Sequence, residues 1–257
     1  MDNKVKFLTE AVKASKQSGK VLKAGFVAKQ EVREKGKHDV VSQIDLASEK
    51  IILKIISKSF PSHSIRAEES GSQNKRSEYK WYIDPLDGTS NFLSGVAYFS
   101  VSIALAFREK IILGVVYNPI LDELYTAEVN KGTFLNGKKI RVSKEKDFSK
   151  AFVAAAYSSS EQNIHLGLKT VEKLSLASRR VMINFSPALD LCNIARGRLD
   201  ALADSGTTPE DHAAGSLIVE EAGGKINNYK YKNWDVEKVG IVASNGLLQA
   251  KLKSSIK

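Results

Sequence analysis

Apolar residues at Val5, Leu8 and Val12, then at Val21, Leu22 and Phe26, recur at helical spacing with lysines between them. One apolar face of this kind predicts an amphipathic helix from Asn3 to about Phe26. A second helix is predicted from about Ile44 through Leu46, Ile51, Ile52, Ile55 and Ile56 to Phe60, where Pro61 ends it. The period then changes. Phe99, Val101, Ile103, Leu105 and Phe107 alternate with Ser100, Ser102, Ala104 and Ala106, which is the two-residue repeat of a strand with small residues on one face. Helices are expected to cover that small-residue face. Strand-like runs follow at 111–118, 123–129 and 133–142, with short polar breaks and an Asn136-Gly137 turn signal, and such breaks imply an antiparallel meander.

After about Ser149 the order is mixed. A strand at AFVAAA, a helix near 161–178, a strand at VMINF, a helix opened by Ser186-Pro187 and a strand at LDALA are followed by a helix from Thr208-Pro209 to Gly223-Gly224. A strand at VGIVAS and a terminal helix close the chain. The lobe boundary is expected at 143–150, giving an α+β lobe over 1–147 and an α/β lobe over 148–257 that pack as one enzyme unit. An antiparallel half followed by a mixed half indicates a layered α+β or α/β sandwich.

The chain has 257 residues, of which 42% are hydrophobic, enough for one large core or two closely packed lobes. No run of 18 uncharged apolar residues is present and the N-terminus has no apolar signal segment, so a membrane span is not expected. The single cysteine, Cys192, sits in the apolar stretch PALDLCNIA and reads as a small buried hydrophobe, which fits a reducing cytoplasm. The net charge of +10 comes mostly from scattered lysines. It attracts polyanions weakly, and no arginine and aromatic cluster accompanies it, so a solvated lysine-rich surface is the simpler reading than a nucleic-acid interface.

Chemistry concentrates in acidic positions: Glu68 and Glu69 in RAEES, Asp84 and Asp87 in WYIDPLDGTSNF, and Asp211 in TTPEDHAAG. Singly, each has an ordinary structural reading, the glutamates as loop charges and Asp211 as the partner of Thr208 in a capping box. The WYIDPLDGTSNF segment weighs against that. Its apolar start reads as the end of a buried strand, Pro85 fixes the backbone, and Asp87 follows Asp84 by three residues, so both carboxylates can face one point. Gly88-Thr89-Ser90 then offers backbone N–H groups to a phosphate if a helical turn begins there. Carboxylates and phosphate repel unless hard divalent cations lie between them. Oxygen-only ligands select Mg2+, Ca2+ or Mn2+ over zinc, and His38, His63, His165 and His212 show no zinc-ligand spacing. Magnesium is the usual ion of phosphate chemistry, where it bridges carboxylate to phosphate.

The segments RAEES, WYIDPLDGTSNF and EDHAAGSLIVEEAGG, in this order and at these separations, resemble the three signatures of the inositol monophosphatase family of Mg2+-dependent, lithium-sensitive phosphatases. The likeness extends through SQIDLASEK, GVVYNPILDELYTA, KGTFLNGKKI and ALDLCNIARGRLDA, and so covers most of the chain. It implies a layered αβαβα sandwich. It makes Glu68, Asp84, Asp87, Asp211 and the backbone carbonyl of Leu86 ligands of two or three Mg2+ ions, with Glu69 shaping the loop. Thr89 matches the threonine that orients the attacking water, and Asp45 the aspartate that hydrogen-bonds that threonine and accepts a proton; Asp45 also fits a capping box with Ser42. Gly88 and Thr89 supply amides to the phosphate, and Asp204 falls where an acidic residue contacts substrate hydroxyls.

Three positions depart from the family pattern. Ala67 stands where Gly precedes the glutamates, Glu210 where Trp precedes the aspartate, and Phe185-Ser186-Pro187-Ala188 where a Gly-Ser-Ala stretch contacts substrate. The metal centre survives these changes, whereas Glu210 adds charge beside a ligand and Pro187 removes a backbone donor from the substrate wall. The resemblance therefore implies a cytoplasmic phosphomonoesterase, expected as a homodimer, acting on inositol monophosphate or a related sugar phosphate. Rival substrates are fructose 1,6-bisphosphate and a nucleotide 3′-phosphate. Nucleotide phosphatases of the superfamily tend to carry Lys-Glu where this chain has Ser90-Asn91. Some bacterial relatives are associated with RNA polymerase and ribosomal RNA transcription, so an RNA-binding role is the rival from another class, marked by steep salt dependence.

Overall fold

A computed structural model describes residues 3–26, 32–36, 39–230 and 233–256, with backbone alone for 3–5, 32–36 and 39–42. The chain opens with helix α1 (Asn3–Gly25), a short antiparallel hairpin of β1 (Val32–Gly36) and β2 (Asp39–Ser42), and helix α2 (Gln43–Ser59). Strands β3 (Ser64–Ala67), β4 (Gly71–Gln73) and β5 (Tyr79–Asp87) lead into a one-turn helix α3 (Thr89–Leu93). A meander of β6 (Ser100–Phe107), β7 (Lys110–Asn118), β8 (Glu123–Glu128), β9 (Gly132–Leu135) and β10 (Lys138–Ile140) completes an eight-stranded sheet of order β10-β9-β8-β7-β6-β5-β3-β4. This sheet is antiparallel except where β3 runs parallel to β5. The exception arises because β4 turns back along the outer edge of β3, so the next strand re-enters in the β3 direction.

The remaining chain forms β11 (Phe152–Ala156), α4 (Glu161–Ala177), β12 (Arg180–Met182), α5 (Pro187–Ala195), β13 (Ala201–Asp204), α6 (Pro209–Glu221), β14 (Lys225–Asn228), β15 (Ile241–Ser244) and α7 (Gln249–Ser255). Its five strands make a mixed sheet of order β12-β11-β13-β15-β14.

Alternation along the central strands assigns the layers. Trp81, Ile83, Val101, Ile103 and Leu105 point to one face and meet Phe7, Leu22, Ile52 and Ile56 of α1 and α2. From the other face Tyr82, Ala104, Ala106, Val116 and Ala127 meet Ala188 and Cys192 of α5 and Ala213 and Ala214 of α6. The far side of α5 and α6 packs on the second sheet through Leu191, Ile194 and Val219 against Leu202 and Ala243. Helices α4 and α7 cover its outer face through Leu174 and Leu252. The layers are thus αβαβα, and α6 is buried on nearly every side because a sheet lies on each.

Two sequence-based boundaries shift. The run at 133–142 is a hairpin, β9 to β10, turned by Asn136 and Gly137, both at positive φ (47° and 77°). The strand read at 181–185 stops at Met182, because Phe185 takes a left-handed φ of 49° and bends the chain toward α5. The β1–β2 hairpin, β3, β4 and β14 lie outside the strands expected from the sequence. The capping partner read for Asp45, Ser42, has its side chain outside the described residues.

The small-residue face sets how close α6 approaches the large sheet. A Cβ added at Gly114 in β7 would stand 2.6 Å from the Ala214 carbonyl oxygen and 3.1 Å from its Cα. Both are backbone atoms of a buried helix, so they cannot swing aside. Gly114→Ala is expected to destabilise the protein by roughly 1–3 kcal/mol by overpacking, read from chemical denaturation. The exposed Gly137, whose added Cβ would meet nothing, gives a comparison substitution governed by its positive φ alone.

Candidate active site

Asp84 and Asp87 both lie in β5, three residues apart, where an unbroken strand would turn them to opposite faces. The ladder to β6 shows why it does not. Asp84 pairs with Ser102 and Asp87 with Ser100, so Pro85 and Leu86 together oppose only Val101. This bulge restores both aspartates to one side, and it accommodates a proline that a regular central strand would exclude. Ser48 Oγ of α2 donates to the Pro85 carbonyl at 2.8 Å and fixes the bulge from behind.

The same side is the wall of a pocket of about 710 Å³ whose lining includes Glu68, Asp84, Leu86, Asp87, Asp204 and Asp211. Glu68 follows β3 and is exposed, Asp84 and Asp87 are buried, and Asp211 enters from the first turn of α6. Asp84 Oδ1 accepts from Leu86 N at 2.9 Å, and Asp211 Oδ2 from Thr208 N at 2.7 Å, the capping-box contact expected for that residue. Asp87 Oδ2 accepts from Ser100 Oγ, Ser186 Oγ and the Ala188 amide. The sequence reads Ser186 as a helix cap within the substrate-contacting stretch. It stands at the N-cap position of α5 with its hydroxyl turned to Asp87 instead, a contact that the sequence does not signal.

Burial and mutual repulsion govern these acids. Burial, then Glu68, Asp87 and Asp211, hold the Asp84 carboxyl well above its ordinary value. Asp87 is also raised well above it, by burial first, although the Ser186 hydroxyl pulls the other way. Burial pushes Asp211 up to about 7 and Asp204 up to about 6, against backbone N–H donors that lower both. Asp204 ends β13, and its Oδ1 accepts from Gly206 N at 2.8 Å.

These acids fit hard cations as a donor set: all oxygen, gathered on one pocket, and disfavoured as bare anions. Among the described residues no three His, Cys, Asp or Glu side chains are drawn into a closed ligand cluster. Asp84, Asp87, Asp204 and Asp211 are anchored instead by the hydrogen bonds above.

Gly88 is the N-cap of α3, at φ 95° and ψ 37°. A Cβ there would meet the Tyr98 carbonyl oxygen at 2.9 Å, so glycine serves both the left-handed backbone and the space. Thr89 begins α3 and lines the pocket. Its Oγ1 is 3.1 Å from Asp45 Oδ1 and 3.0 Å from the Leu86 carbonyl. Asp45 is fully buried in the first turn of α2, and Glu49, one turn on, accepts from the Glu69 amide at 2.9 Å, which ties the Glu68 loop to α2.

Glu210 does not reach the substrate wall as expected. Its side chain is buried behind the site, where Oε1 accepts from Arg66 Nε at 2.6 Å. The other arm of Arg66 reaches Glu237 at 2.7 Å, which also accepts from Lys80 and Tyr82. Arg66 precedes Glu68 by two residues, Tyr82 precedes Asp84 by two and Glu210 adjoins Asp211, so this cluster ties together the elements that carry the acids. Arg66 and Glu237 had no signal in the sequence because their pairing spans 171 positions.

A sequence model of the inositol monophosphatase family matches residues 3–257. The chain belongs to that family. It is a phosphoric monoester hydrolase. Inositol monophosphatase 2 of Solanum lycopersicum is 38% identical over 251 residues, covering 95% of each chain. The fructose-1,6-bisphosphatase/inositol-1-monophosphatase of Aquifex aeolicus is 37% identical over 227 residues, covering 87% of this chain and 86% of that one. Among solved structures, the extragenic suppressor protein suhB from Bartonella henselae superposes with a TM-score of 0.93 at 34% identity, covering 98% of both chains. Among the described residues no helix is long and apolar enough to cross a membrane.

The raised carboxyls give a sign for the pH dependence of stability. Their folded pKa values exceed the unfolded value of about 4, so the folded state binds these protons more tightly. That contribution is complete below about pH 4 and is lost as pH rises through the folded values, near 6 for Asp204 and 7 for Asp211. His212 acts in the opposite sense, since burial lowers it to about 4 and its contribution is lost as pH falls from 6.5. Between pH 6.5 and 8 the carboxyls dominate. In chelator, thermal stability is expected to fall across that window, and Asp84→Asn is expected to melt above the wild type at pH 8. An unchanged or lower melting temperature for that variant contradicts the repulsion argument.

Proposed function

We propose that the protein hydrolyses inositol monophosphate or a related sugar monophosphate, with Glu68, Asp84, Asp87, Asp211 and the Leu86 carbonyl holding Mg2+. When bound, the cations polarise the phosphoryl group, acidify a water and stabilise the leaving oxygen. The chain's own residues do the rest. The amides of Gly88 and Thr89, at the start of α3, bind the phosphate oxygens. Asp204 accepts hydrogen bonds from ring hydroxyls on the leaving-group side.

The observation that carries this reading is the Thr89 hydroxyl, set between Asp45 Oδ1 and the Leu86 carbonyl beside the acidic pocket. One hydroxyl has one proton, so donating it to Asp45 leaves its lone pairs to accept from a water. The water is thereby oriented, and its proton has a path through Thr89 to a buried carboxylate. Burial makes this path strict, because Asp45 has no bulk solvent to share the proton with.

The pocket favours a monophosphate over a bisphosphate. Among the described residues that line it there is no Lys, Arg or His to meet a second phosphate. The Aquifex relative carries both activities in its name, which makes fructose 1,6-bisphosphate the substrate to test against. The same reading places the protein in the cytoplasm as a homodimer with two or three Mg2+ per subunit.

Phosphate release from inositol 1-phosphate, fructose 1,6-bisphosphate and 3′-phosphoadenosine 5′-phosphate, with Mg2+ and with chelator, tests the assignment. Hydrolysis of the first should lead, require Mg2+ and be inhibited by lithium; rapid turnover of either bisphosphate alone overturns the substrate while leaving the chemistry. Asp84→Asn should cost about 10²-fold or more in kcat. Thr89→Ala and Asp45→Asn should each lower kcat more than they raise KM. Because they serve one path, the double variant should lose much less than the sum of the two losses. Full additivity would show that the two side chains act separately. Asp204→Ala should instead raise KM for inositol 1-phosphate with little change in kcat.

A further inference from the structure

Part of the pocket wall carries none of the groups assigned to hydrolysis above: Tyr157, Ile164, and Phe185 and Pro187, the last two in the stretch that stands where the family has its substrate-contacting Gly-Ser-Ala. Phe185 is placed at a cost. Its φ of 49° lies in the left-handed region, which is sparsely populated for a bulky side chain. Despite that, the residue is 41% exposed rather than buried. The strained backbone therefore delivers an aromatic ring to the pocket and not to a core.

The ring is also held in place. Tyr157 meets it edge-on, with centroids 5.5 Å apart and planes at 90°. Tyr157 is seated in turn against α4, where a Cβ on Gly167 would stand 2.2 Å from its ring; only a residue without a side chain leaves that room. Before Phe185, the Asn184 carbonyl accepts from Asn91 Nδ2 and its side chain donates to Asp190 Oδ1, both at 2.7 Å. After it, Ser186 is bonded to Asp87. The pair is a fixed surface, so a ligand would not have to order it on binding.

The partner that fits this surface is set by what lies beside it. Ala156 pairs with Asp204 across β11 and β13, so Tyr157 leaves its strand next to the one that ends in Asp204. An aromatic face and a hydroxyl acceptor thus emerge from adjacent strand ends. A saturated ring bearing hydroxyls has both complements, C–H groups on its face and O–H groups at its edge. An open-chain polyol can satisfy Asp204 but presents no rigid C–H face.

We propose that Tyr157 and Phe185 form an aromatic platform that takes the C–H face of a cyclic polyol monophosphate and selects cyclic over acyclic leaving groups. The proposal rests on the phosphomonoesterase reading above and adds two specificity determinants to it. The discriminating pair is inositol 1-phosphate against glycerol 2-phosphate, both monoesters of secondary alcohols.

The quantity to measure is the ratio of kcat/KM for the two esters, with Mg2+, in the wild type, Phe185→Leu and Tyr157→Leu. Leucine keeps apolar volume and removes the aromatic face. The ratio is expected to fall on the order of three- to tenfold in each variant, mainly through KM for the inositol ester. An equal loss on both esters, or an unchanged ratio, overturns the proposal. Phe185→Gly, which relieves the left-handed strain, provides a folded comparison if the leucine variants are unstable, and the same fall is expected of it. Saturation-transfer NMR reads the contact without turnover: irradiating aromatic protons should reach the ring C–H protons of inositol 1-phosphate in the wild type and much less in Phe185→Leu. If neither ester is hydrolysed but that transfer is seen, the platform stands and the inositol-phosphate substrate reading falls. If hydrolysis is seen without transfer, the reverse holds.

Discussion

The site depends on one extra residue in a strand. With Pro85 and Leu86 set against Val101 alone, Asp84 and Asp87 share a face that a regular ladder would deny them. The same bulge presents the Leu86 carbonyl to the Thr89 hydroxyl and the Pro85 carbonyl to Ser48. It also ends the strand at a glycine whose left-handed backbone starts α3. The acidic pair, the hydroxyl and the amides are therefore set by one distortion, itself buttressed by α2. A register slip here would scatter all of them at once.

A bulge alone does not gather acids from separate parts of the chain. That is done by close packing. Small residues on β6, β7 and β8 let α6 lie directly on the large sheet, with Ser102 Oγ donating to the Glu210 carbonyl at the end that carries Asp211. Behind the contact, Arg66 and Lys80 together offset the charges of Glu210 and Glu237. A partly buried ion pair of this kind adds little net stability compared with apolar packing, while loss of Arg66 would leave the buried Glu210 without its partner. Its contribution here is geometric, in joining β3, β5 and α6. The burial that raises the carboxyls is the same burial that makes each hydrogen bond to them directional and strong.

Much of the scaffold was legible because its signals are local. The two amphipathic helices, the meander from Phe99 onward and the proline-opened helices follow from periods of 3.6 and 2 and from proline placement, and each lies within a residue or two of its expected bounds. What was not legible lacks such a signal. The parallel β3–β5 pair is decided by where β4 turns back, and the strand read at 181–185 is cut short by a bend at Phe185 that only its neighbours stabilise. Ser186 had the sequence of a helix cap, yet its hydroxyl serves Asp87 because the carboxylate lies closer to hand in the folded chain.

By itself the sequence determined which side chains the chemistry has available. It placed two carboxylates, a proline, a glycine and a threonine within a few residues, where covalent connection guarantees proximity, and it put Asp211 in the first turn of a helix. The tertiary structure decided which of those groups face one another. Asp45 and Thr89 lie 44 positions apart, Arg66 and Glu210 144, and Asp87 and Ser186 99. No periodicity encodes such pairings, because each arises only when the sheets close on α5 and α6 and excluded volume leaves the side chains a single arrangement. The aromatic wall belongs to the same class: Phe185 stands out in sequence only as a departure in a substrate-contacting stretch and Tyr157 not at all, and the two become a surface only where the end of β11 meets the start of α5.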